Sequence, residues 1–247
     1  MKQKFVLLLS KDESYLVKVS DRTFSAKSGI LNLAELKEKR FGDKIETHLG
    51  KEFVIVEPTL LDFMRKKLKR MPQIVMPKDA SIILAETGIK PNSLVVDAGS
   101  GSGYLCIFLA YYLSEGKVVT YEIRKDFYKV VKRNVDLLGL KNVEIKNKDI
   151  TKGIDERNVD LITLDLKDAS KVIKHAYKAL KPGGWLVVYS PYIEQVIEVR
   201  KIIERGKFTH IKTIENVIRE WQVEKYTRPM TTGIIHTGFL TFARKVS

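Results

Sequence analysis

Asp97–Gly103, with the sequence Asp-Ala-Gly-Ser-Gly-Ser-Gly, is the segment around which this chain is organised. An apolar run rich in valine, Leu94–Val96, precedes it, and a helical pattern over Tyr104–Leu113 follows it. A strand, a glycine-rich turn and a helix in this order direct backbone amides at a helix N-terminus toward a ligand. Glycine permits positive φ angles and has no Cβ to keep a ligand away from the backbone. The segment therefore predicts a binding site at a strand-to-helix turn.

The spacing of the glycines and the acid before them indicate the class of ligand. A nicotinamide fingerprint reads G-x-G-x-x-G, whereas this segment reads G-x-G-x-G and has Tyr104 where the third glycine of the fingerprint belongs. Asp97 stands two residues before the first glycine, and a carboxylate there repels a pyrophosphate but attracts an ammonium group. S-adenosylmethionine carries an ammonium group and no phosphate. The segment thus predicts an S-adenosylmethionine site, the alternative being an ordinary strand-to-helix turn.

The composition favours a polyanionic partner. A formal net charge of +14 and a pI near 9.6 are typical of proteins that attract nucleic acid through counterion release. A lysine-rich surface is also typical of proteins from thermophiles. In such proteins, however, glutamate increases along with lysine, which would not by itself give a net charge of +14. Nucleic acid is therefore the expected partner.

The sequence gives no sign of a membrane span or a metal site. No apolar run reaches the roughly 18 residues that a span needs, and no secretory signal is evident. The single cysteine, Cys106, excludes an intrachain disulfide, and the four histidines show no metal-ligand spacing. A cytoplasmic protein without a metal is expected.

The predicted elements divide the chain into two domains. Residues 1–58 show short apolar segments between turn residues, which predicts a small β-barrel-like domain. Its predicted strands are Phe5–Leu9, Tyr15–Val19, Gly29–Leu33, Lys44–Leu49 and Phe53–Val56. Residues 59–247 alternate strands and helices, which is typical of an α/β, Rossmann-like domain with a parallel sheet covered on both faces. Its predicted strands are Ser93–Asp97, Lys117–Glu122, Val143–Asn147, Val159–Asp165, Trp185–Tyr189, Thr209–Val217 and Ile235–Ala243.

Acidic residues stand where three of these strands end, and ligands of open parallel sheets bind beyond the carboxyl ends of the strands. Glu122 follows Gly101 by 21 residues, at the place where a carboxylate accepts hydrogen bonds from both ribose hydroxyls. Asp149 can accept a hydrogen bond from the adenine amine, and Ile123 and Phe127 are apolar candidates for the faces of that ring. An acid at such a position can equally be an N-cap residue.

Asp165 ends the fourth strand, opposite the place where the methyl sulfonium is expected. Enzymes that methylate exocyclic base amines carry D-P-P-Y or N-P-P-Y there, whereas Asp165–Asp168 reads Asp-Leu-Lys-Asp. No cysteine stands nearby for the covalent route to carbon 5 of pyrimidines. The sequence therefore disfavours both of these chemistries.

The densest basic run of the chain spans residues 65–70, at the end of a predicted helix over Thr59–Leu68. This run is either a solvated helix face or a surface that contacts phosphates. The candidates for phosphate contact in it are Arg65, Lys67 and Arg70.

Four further motifs connect the chain to a known family. Gln73–Ala80 reads Gln-Ile-Val-Met-Pro-Lys-Asp-Ala, Glu220–Gln222 reads Glu-Trp-Gln, Arg228 precedes a proline, and His236–Leu240 reads His-Thr-Gly-Phe-Leu. With these motifs the chain resembles the tRNA (adenine-N1) methyltransferases that act on position 58, in their archaeal and bacterial homotetrameric form. The resemblance runs from about Gln73 to Lys245, and the small β domain also fits the family plan.

The resemblance implies a class I S-adenosylmethionine-dependent methyltransferase that transfers a methyl group to N1 of adenine 58, with adenine 57 as a second possible target. It implies tRNA as the partner, a homotetramer, and Asp165 as the catalytic residue that accepts a hydrogen bond from the N6 amine. The implied cofactor-binding residues are Gln73, Asp97, Gly99, Ser100, Gly101, Ser102, Gly103, Glu122, Ile123, Phe127, Asp149 and Asp165. The basic surface gives Arg65, Lys67, Arg70 and Arg228 as candidates for tRNA contact. The resemblance implies that Arg228 and His236 border the active cleft, the alternative for His236 being a core or capping residue.

The chain departs from the family pattern at two places. The fourth-strand motif of the family, Leu-Asp-x-Pro-x-Pro-Trp, keeps its aspartate here but loses both prolines and the tryptophan. Met76 stands where the family often has a tyrosine, so Tyr104, Tyr189 and Tyr192 become the candidates to stack on the target adenine.

Two other functions remain open from the sequence. One is a methyltransferase of the isoaspartyl type that acts on a protein or a small molecule, against which the charge and the His236–Leu240 motif argue. The other is a non-catalytic tRNA-binding subunit, which would tolerate loss of the glycine segment and of Asp165, although both are intact here.

Overall fold

A computed structural model describes residues 4–231, 233 and 235–247. The chain divides into two compact units, Met1–Leu68 and Lys69–Ser247. The domain limits drawn from the sequence, 1–58 and 59–247, stay a prediction, because compactness alone does not establish which segment folds independently.

The first unit is built from antiparallel strands. Its elements are β1 (Phe5–Leu9), β2 (Ser14–Lys18), β3 (Thr23–Ala26), β4 (Gly29–Asn32), a 3-10 helix (Leu33–Lys37), β5 (Lys44–Glu46), β6 (Glu52–Val56) and α1 (Leu60–Lys66). Four strands form a sheet in the order β2-β1-β6-β5, and β3 pairs with β4 in a hairpin. The apolar faces enclose a core that includes Leu8, Leu31, Phe53 and Ile55.

Two features of this unit differ from the sequence expectation. Strand β3 was not predicted, because Thr-Phe-Ser-Ala is only four residues long and contains one large apolar side chain. Helix α1 ends at Lys66 rather than Leu68, since the Lys67 and Leu68 amides both donate to the Phe63 carbonyl, which closes the last turn. At its start, Thr59 and Asp62 form a reciprocal capping box.

The second unit is a seven-stranded sheet with helices. Its strands are β7 (Leu94–Ala98), β8 (Lys117–Tyr121), β9 (Val143–Lys146), β10 (Val159–Leu164), β11 (Leu180–Ser190), β12 (Phe208–Glu215), β13 (Trp221–Gln222), β14 (Arg228–Pro229) and β15 (Phe239–Lys245). Its helices are α2 (Pro77–Thr87), α3 (Tyr104–Tyr112), α4 (Lys125–Leu138), a 3-10 helix (Ile150–Lys152), α5 (Ala169–Ala179) and α6 (Ile193–Glu204). The strand order is β12-β15-β11-β10-β7-β8-β9.

The five strands from β7 to β11 are parallel, as the sequence predicted. The central residues of β7, β8, β10 and β11 are buried, as expected for a parallel sheet covered on both faces, whereas the edge strand β9 is only partly buried. The order reverses between β7 and β10, and the crevice at such a switch point is where ligands of this architecture bind. The carboxyl ends of β7 and β10 therefore define the site.

The last part of the sheet differs from the prediction of a parallel sheet. Strand β15 inserts between β11 and β12 and runs antiparallel to both, so the sheet is mixed. β11 begins at Leu180 rather than Trp185, since Leu180 already pairs with Val159 before a shift in register. β15 begins at Phe239 rather than Ile235, and the short hairpin of β13 and β14 was not predicted.

Within the described residues, no helix combines the length and the apolar character that crossing a membrane requires. The same part of the chain contains no group of three or more His, Cys, Asp or Glu side chains that could hold a metal ion.

Candidate functional site

The glycine segment lies against the end of β10. The Asp165 amide donates a hydrogen bond to the Ala98 carbonyl at 2.8 Å, which joins the ends of β10 and β7. Gly99 has a φ of +85°, and a Cβ built on it would lie 1.9 Å from the Asp165 carbonyl oxygen. Only glycine therefore fits where the first turn of the segment passes the β10 end.

The third glycine serves a different contact. Gly103 has a φ of +83°, and a Cβ there would lie 2.6 Å from a methyl group of Val131 in α4. This glycine lets α3 start close against α4. Gly101 has a φ of +53° but meets no atom closer than 3.7 Å, so its requirement is conformational.

Asp97 is 2% exposed and lies among the ends of three strands. Its Oδ2 accepts a hydrogen bond from the Thr120 hydroxyl at 2.6 Å, and its Oδ1 accepts one from the Thr163 hydroxyl at 2.7 Å. Burial raises the pKa of this carboxyl group, while the two hydroxyls oppose that shift. Asp97 thus holds β7, β8 and β10 together and places a carboxylate below the glycine segment.

Glu122 is fixed directly against the glycine segment and is 6% exposed. Its Oε2 accepts from the Gly101 amide at 2.9 Å, and its Oε1 accepts from the Arg124 amide at 2.9 Å. Asn147 ties this turn to the next strand end by donating to the Glu122 carbonyl at 2.7 Å. Each carboxylate oxygen keeps a lone pair, so the group can still accept hydrogen bonds from a diol.

The other residues expected around adenine lie in less constrained positions. Asp149 caps the short helix Ile150–Lys152, and its Oδ1 accepts from the Thr151 amide at 3.0 Å and hydroxyl at 2.7 Å. These two hydrogen bonds lower the pKa of Asp149. Ile123 is 63% exposed, and the Arg124 guanidinium lies 4.0 Å from the centre of the Phe127 ring. The N-cap alternative for Asp149 is thus realised, and one face of Phe127 is already covered.

Asp165 presents a half-buried carboxylate at the switch point. Among the described residues, no group donates a hydrogen bond to that carboxylate. Burial, followed by the negative charge of Asp97, raises the pKa of Asp165 to about 7. The group is therefore poised to change its protonation state near neutral pH, and any cation bound beside it would favour the ionised form.

A set of hydrogen bonds that the sequence did not predict ties residues 69–71 to the glycine segment; we call these bonds of Asn134 and Ser102 the clamp. The Asn134 side chain accepts from the Lys69 amide at 2.9 Å and donates to the carbonyls of Lys69 and Ser102 at 2.9 and 2.8 Å. The Ser102 hydroxyl accepts from the Met71 amide at 2.7 Å. The sequence offered one sign of this contact: Asn134 is a polar residue on the apolar face of the amphipathic helix α4.

The clamp and the switch point together border a narrow cleft. Gln73 enters it with a φ of +59°, a strained conformation for a side chain of this size. The cleft is lined by Gln73, Ile74, Val75, Asp97, Gly99, Ser100, Gly101, Ser102, Tyr104, Leu105 and Asp165. The structure thus brings together Gln73, the glycine segment and Asp165, with Glu122 bonded to the segment. Asp149 lines a different cavity.

The residues predicted to contact tRNA are exposed. Arg65 and Lys67 lie at the end of α1 in the first unit, whereas Arg70 and Arg228 lie on the second unit. His236 joins the ends of three strands, since its Nδ1 contacts Glu215 and its Nε2 lies 3.0 Å from the Pro191 carbonyl oxygen. Glu215 raises the pKa of this imidazole.

The three tyrosines considered for stacking have different surroundings. Tyr104 is buried in the cleft wall. The Tyr189 hydroxyl donates to the Thr237 carbonyl, and a Cβ on Gly238 would lie 2.5 Å from its ring, so this tyrosine is packed in place. Tyr192 is 60% exposed at the start of α6, beyond the carboxyl end of β11.

Comparison with known proteins places this site in a family. Residues 53–228 match the family described as tRNA methyltransferase complex GCD14 subunit. A protein of Methanocaldococcus jannaschii named tRNA (adenine(57)-N(1)/adenine(58)-N(1))-methyltransferase TrmI is 37% identical over 97% of this chain and 94% of its own length. The chain belongs to the GCD14 family. Another member, the tRNA (adenine(58)-N(1))-methyltransferase TrmI of Thermus thermophilus, is 33% identical over 95% of this chain and 94% of its own length.

Solved structures agree with the GCD14-family fold. The tRNA (m1A58) methyltransferase TrmI of Aquifex aeolicus superposes with a TM-score of 0.81 at 28% identity, covering 98% of this chain and 97% of its own. A Thermotoga maritima protein described as a SAM-dependent O-methyltransferase superposes with a TM-score of 0.90 at 36% identity, covering 99% of this chain and 93% of its own. The Rossmann-like methyltransferase fold predicted from the glycine segment is confirmed.

Proposed function

We propose that this chain is an S-adenosylmethionine-dependent tRNA methyltransferase that modifies N1 of adenine 58 in the T-loop. The observation that carries the proposal is the cleft at the switch point. There the Asp165 carboxylate, which has no hydrogen-bond donor among the described residues and a pKa of about 7, lies beside the glycine segment. The printed activities of the M. jannaschii and T. thermophilus relatives support the choice of target. The former name also includes adenine 57, which is a possible second target here.

The residues of the cleft fit this cofactor. Asp97 and Asp165 form a negative floor without a basic side chain among the cleft-lining residues, which suits a ligand carrying ammonium and sulfonium charges. We assign Glu122 to the ribose hydroxyls, Asp149 with Ile123 to the adenine, and Gln73 to the methionine end. Bound S-adenosylmethionine supplies an electrophilic methyl group on a positively charged sulfur.

Asp165 acts on the substrate base in this proposal. Adenine N1 already carries a lone pair, so the reaction needs orientation more than deprotonation. The ionised Asp165 accepts a hydrogen bond from the N6 amine, which raises the electron density at N1 and stabilises the positive charge that develops on the base. Holding N1 in line with the methyl group lowers the entropic part of the barrier.

The adenine must leave its stack to reach Asp165, which costs on the order of a few kcal/mol. Of the three candidate tyrosines, Tyr192 is the exposed one, and we assign it to stacking on the displaced base. Arg65, Lys67, Arg70 and Arg228 are assigned to phosphates of the tRNA. His236 is assigned a positioning role, because both of its ring nitrogens already have partners.

We further propose the homotetramer implied by the family resemblance. Size-exclusion chromatography with light scattering should then give a mass four times that of the 28.3 kDa chain. A monomeric mass at micromolar concentration would contradict this assembly.

The activity is tested with recombinant protein, radiolabelled S-adenosylmethionine and unmodified tRNA transcripts, followed by nucleoside analysis. We expect 1-methyladenosine in a transcript with guanine at position 57 and adenine at position 58, and its loss when guanine also replaces adenine 58. A transcript with adenine at position 57 and guanine at position 58 tests the second target. Binding of tRNA without methyl transfer would instead indicate a non-catalytic subunit. Transfer to a hydroxyl group of a small molecule, and not to tRNA, would favour the chemistry named for the T. maritima structure.

A further inference from the structure

A second cavity of about 830 Å³ lies in the second unit. It shares no lining residue with the cleft, but Asp149, which we assign to the adenine of the cofactor, lies in its wall. It is formed by the short helix Ile150–Lys152, the loop that follows it, and α5. Its charged lining consists of Lys148, Lys152, Arg157 and Lys178 against Asp149 and Asp155, with His175 alongside. The cations outnumber the carboxylates, so the cavity carries a net positive charge.

The free cations of this cavity stand on two different elements. Lys152 follows the end of β9, and Lys178 lies on α5; both side chains are exposed. Within the described residues, neither ammonium group forms an ion pair or a hydrogen bond, and the same is true of the half-buried His175 imidazole. Lys148, in contrast, is paired with Asp155 at 2.7 Å. The cavity therefore offers unpaired donors from two separate elements.

The loop that forms one wall is held rigidly. The Tyr121 hydroxyl donates to the Glu156 carboxylate at 2.6 Å and accepts from the Asp155 amide at 3.0 Å. Arg157 donates through Nη1 to the carbonyls of Ile154 and Glu156 at 2.6 and 2.7 Å, which leaves its other guanidinium nitrogens available. A basic wall fixed before binding loses little entropy when an anion binds.

We propose that this cavity binds phosphate groups of the RNA backbone and forms a contact region separate from the pocket for the target base. Phosphodiester oxygens accept hydrogen bonds, and lysine and arginine side chains supply the donors that such groups require. The exposed positions of Lys152 and Lys178 on separate elements suit a strand passing across the opening. The net charge of +14 supports RNA over a free phosphate compound. The choice of RNA rests on the proposed function.

The test compares tRNA binding by the Lys152→Ala/Lys178→Ala variant and by a control, Lys141→Ala/Lys201→Ala. The control removes two exposed lysines of the same unit that also lack ion pairs among the described residues. Dissociation constants are measured by fluorescence anisotropy at several salt concentrations. Loss of two phosphate contacts should reduce the slope of log K against log salt by roughly 1.5. The control should leave the slope within about 0.5 of wild type, and Lys152→Arg/Lys178→Arg should retain it.

Equal slopes for the cavity variant and the control would overturn the proposal. Binding of S-adenosylmethionine by the cavity variant should stay within about twofold of wild type, since neither replaced lysine lines the cleft and Asp149 is unchanged. Wild-type protein that binds no tRNA would refute both the proposed function and the RNA contact. Titration with inorganic phosphate, followed by ³¹P NMR, would then show whether the cavity binds a free anion, with the cavity variant as the negative control.

Discussion

Replacing Gly99 by alanine should strongly weaken cofactor binding, because the structure leaves no room for a methyl group there. The new Cβ would lie 1.9 Å from the Asp165 carbonyl oxygen, well inside the 3.0 Å below which real Cβ atoms are essentially never found. The obstructing atom belongs to the backbone at the end of β10, so no side-chain rotation relieves the clash. The glycine segment and the β10 end must therefore move apart by about 1 Å or more.

Gly139→Ala is a matched control for this substitution. Gly139 also has a positive φ, +67°, but a Cβ on it would meet nothing within 4 Å. Both variants thus incur the left-handed backbone strain of about 1–2 kcal/mol, and only Gly99→Ala adds the clash. In a unit of this size, about 1 kcal/mol lowers Tm by about 2–4 °C, so the control should lose no more than about 8 °C.

The two variants are compared by calorimetric unfolding and by isothermal titration with S-adenosylmethionine. Gly139→Ala should bind the cofactor within about twofold of wild type. Gly99→Ala should bind at least ~100-fold more weakly, equivalent to about 2.7 kcal/mol, and unfold at a lower temperature than the control. If the two variants bind the cofactor equally well, the close approach of Gly99 to Asp165 does not shape the site, and the reasoning is refuted.

Further substitutions test the roles assigned to individual side chains. Asp165→Ala should bind S-adenosylmethionine within severalfold of wild type yet turn over ~100-fold more slowly or worse; equal turnover would remove Asp165 from the mechanism. Because the ionised form of Asp165 is the active one, kcat/KM should rise with pH up to its pKa of about 7 and then level, and a flat profile from pH 5.5 to 8.5 would contradict this. Replacing Arg65, Lys67 and Arg70 by alanine should weaken tRNA binding and flatten its salt dependence, and an unchanged slope would place the phosphate contacts elsewhere. Because Glu215 raises the pKa of His236, the stability that this contact contributes is present at low pH and lost as pH rises through that pKa. His236→Asn should therefore lower Tm more at pH 5.5 than at pH 9. Equal losses of Tm at the two pH values would exclude the charged contact.

The parallel core of the second unit could be predicted from the sequence because its signal is local. Runs such as Leu94–Val96 are apolar on both faces, and each is followed by a helical pattern, which leaves a right-handed crossover as the normal connection. The position of β15 could not be predicted in the same way. Its insertion between β11 and β12 depends on pairings with strands far along the chain, and an apolar run carries no sign of its direction.

Prediction of the site from the sequence has the same limit, since only the residues at strand ends have a local signal. The positions of Asp97, Glu122 and Asp165 near one another follow from the rule that parallel strands end at one edge of a sheet. The clamp formed by Asn134 does not, since it joins Lys69 to a helix residue 65 positions later. Such contacts depend on how the elements pack, and a single polar residue in an amphipathic helix does not indicate which residue it will contact.

The two aspartates at the switch point differ in one respect that explains how the site can work. Asp97 is bonded to two hydroxyls, which stabilise its charge without a ligand. Asp165 has no donor within the described part of the chain, and the charge of Asp97 further opposes its ionisation. A ligand that brings positive charge into the cleft lowers the pKa of Asp165 and thereby generates the hydrogen-bond acceptor that the target base needs. The pH profile of kcat reports the enzyme with its substrates bound, whereas the profile of kcat/KM for S-adenosylmethionine reports the enzyme without the cofactor. The kcat profile should therefore have its midpoint at a lower pH. Coincident midpoints would show that the cofactor charge does not act on Asp165.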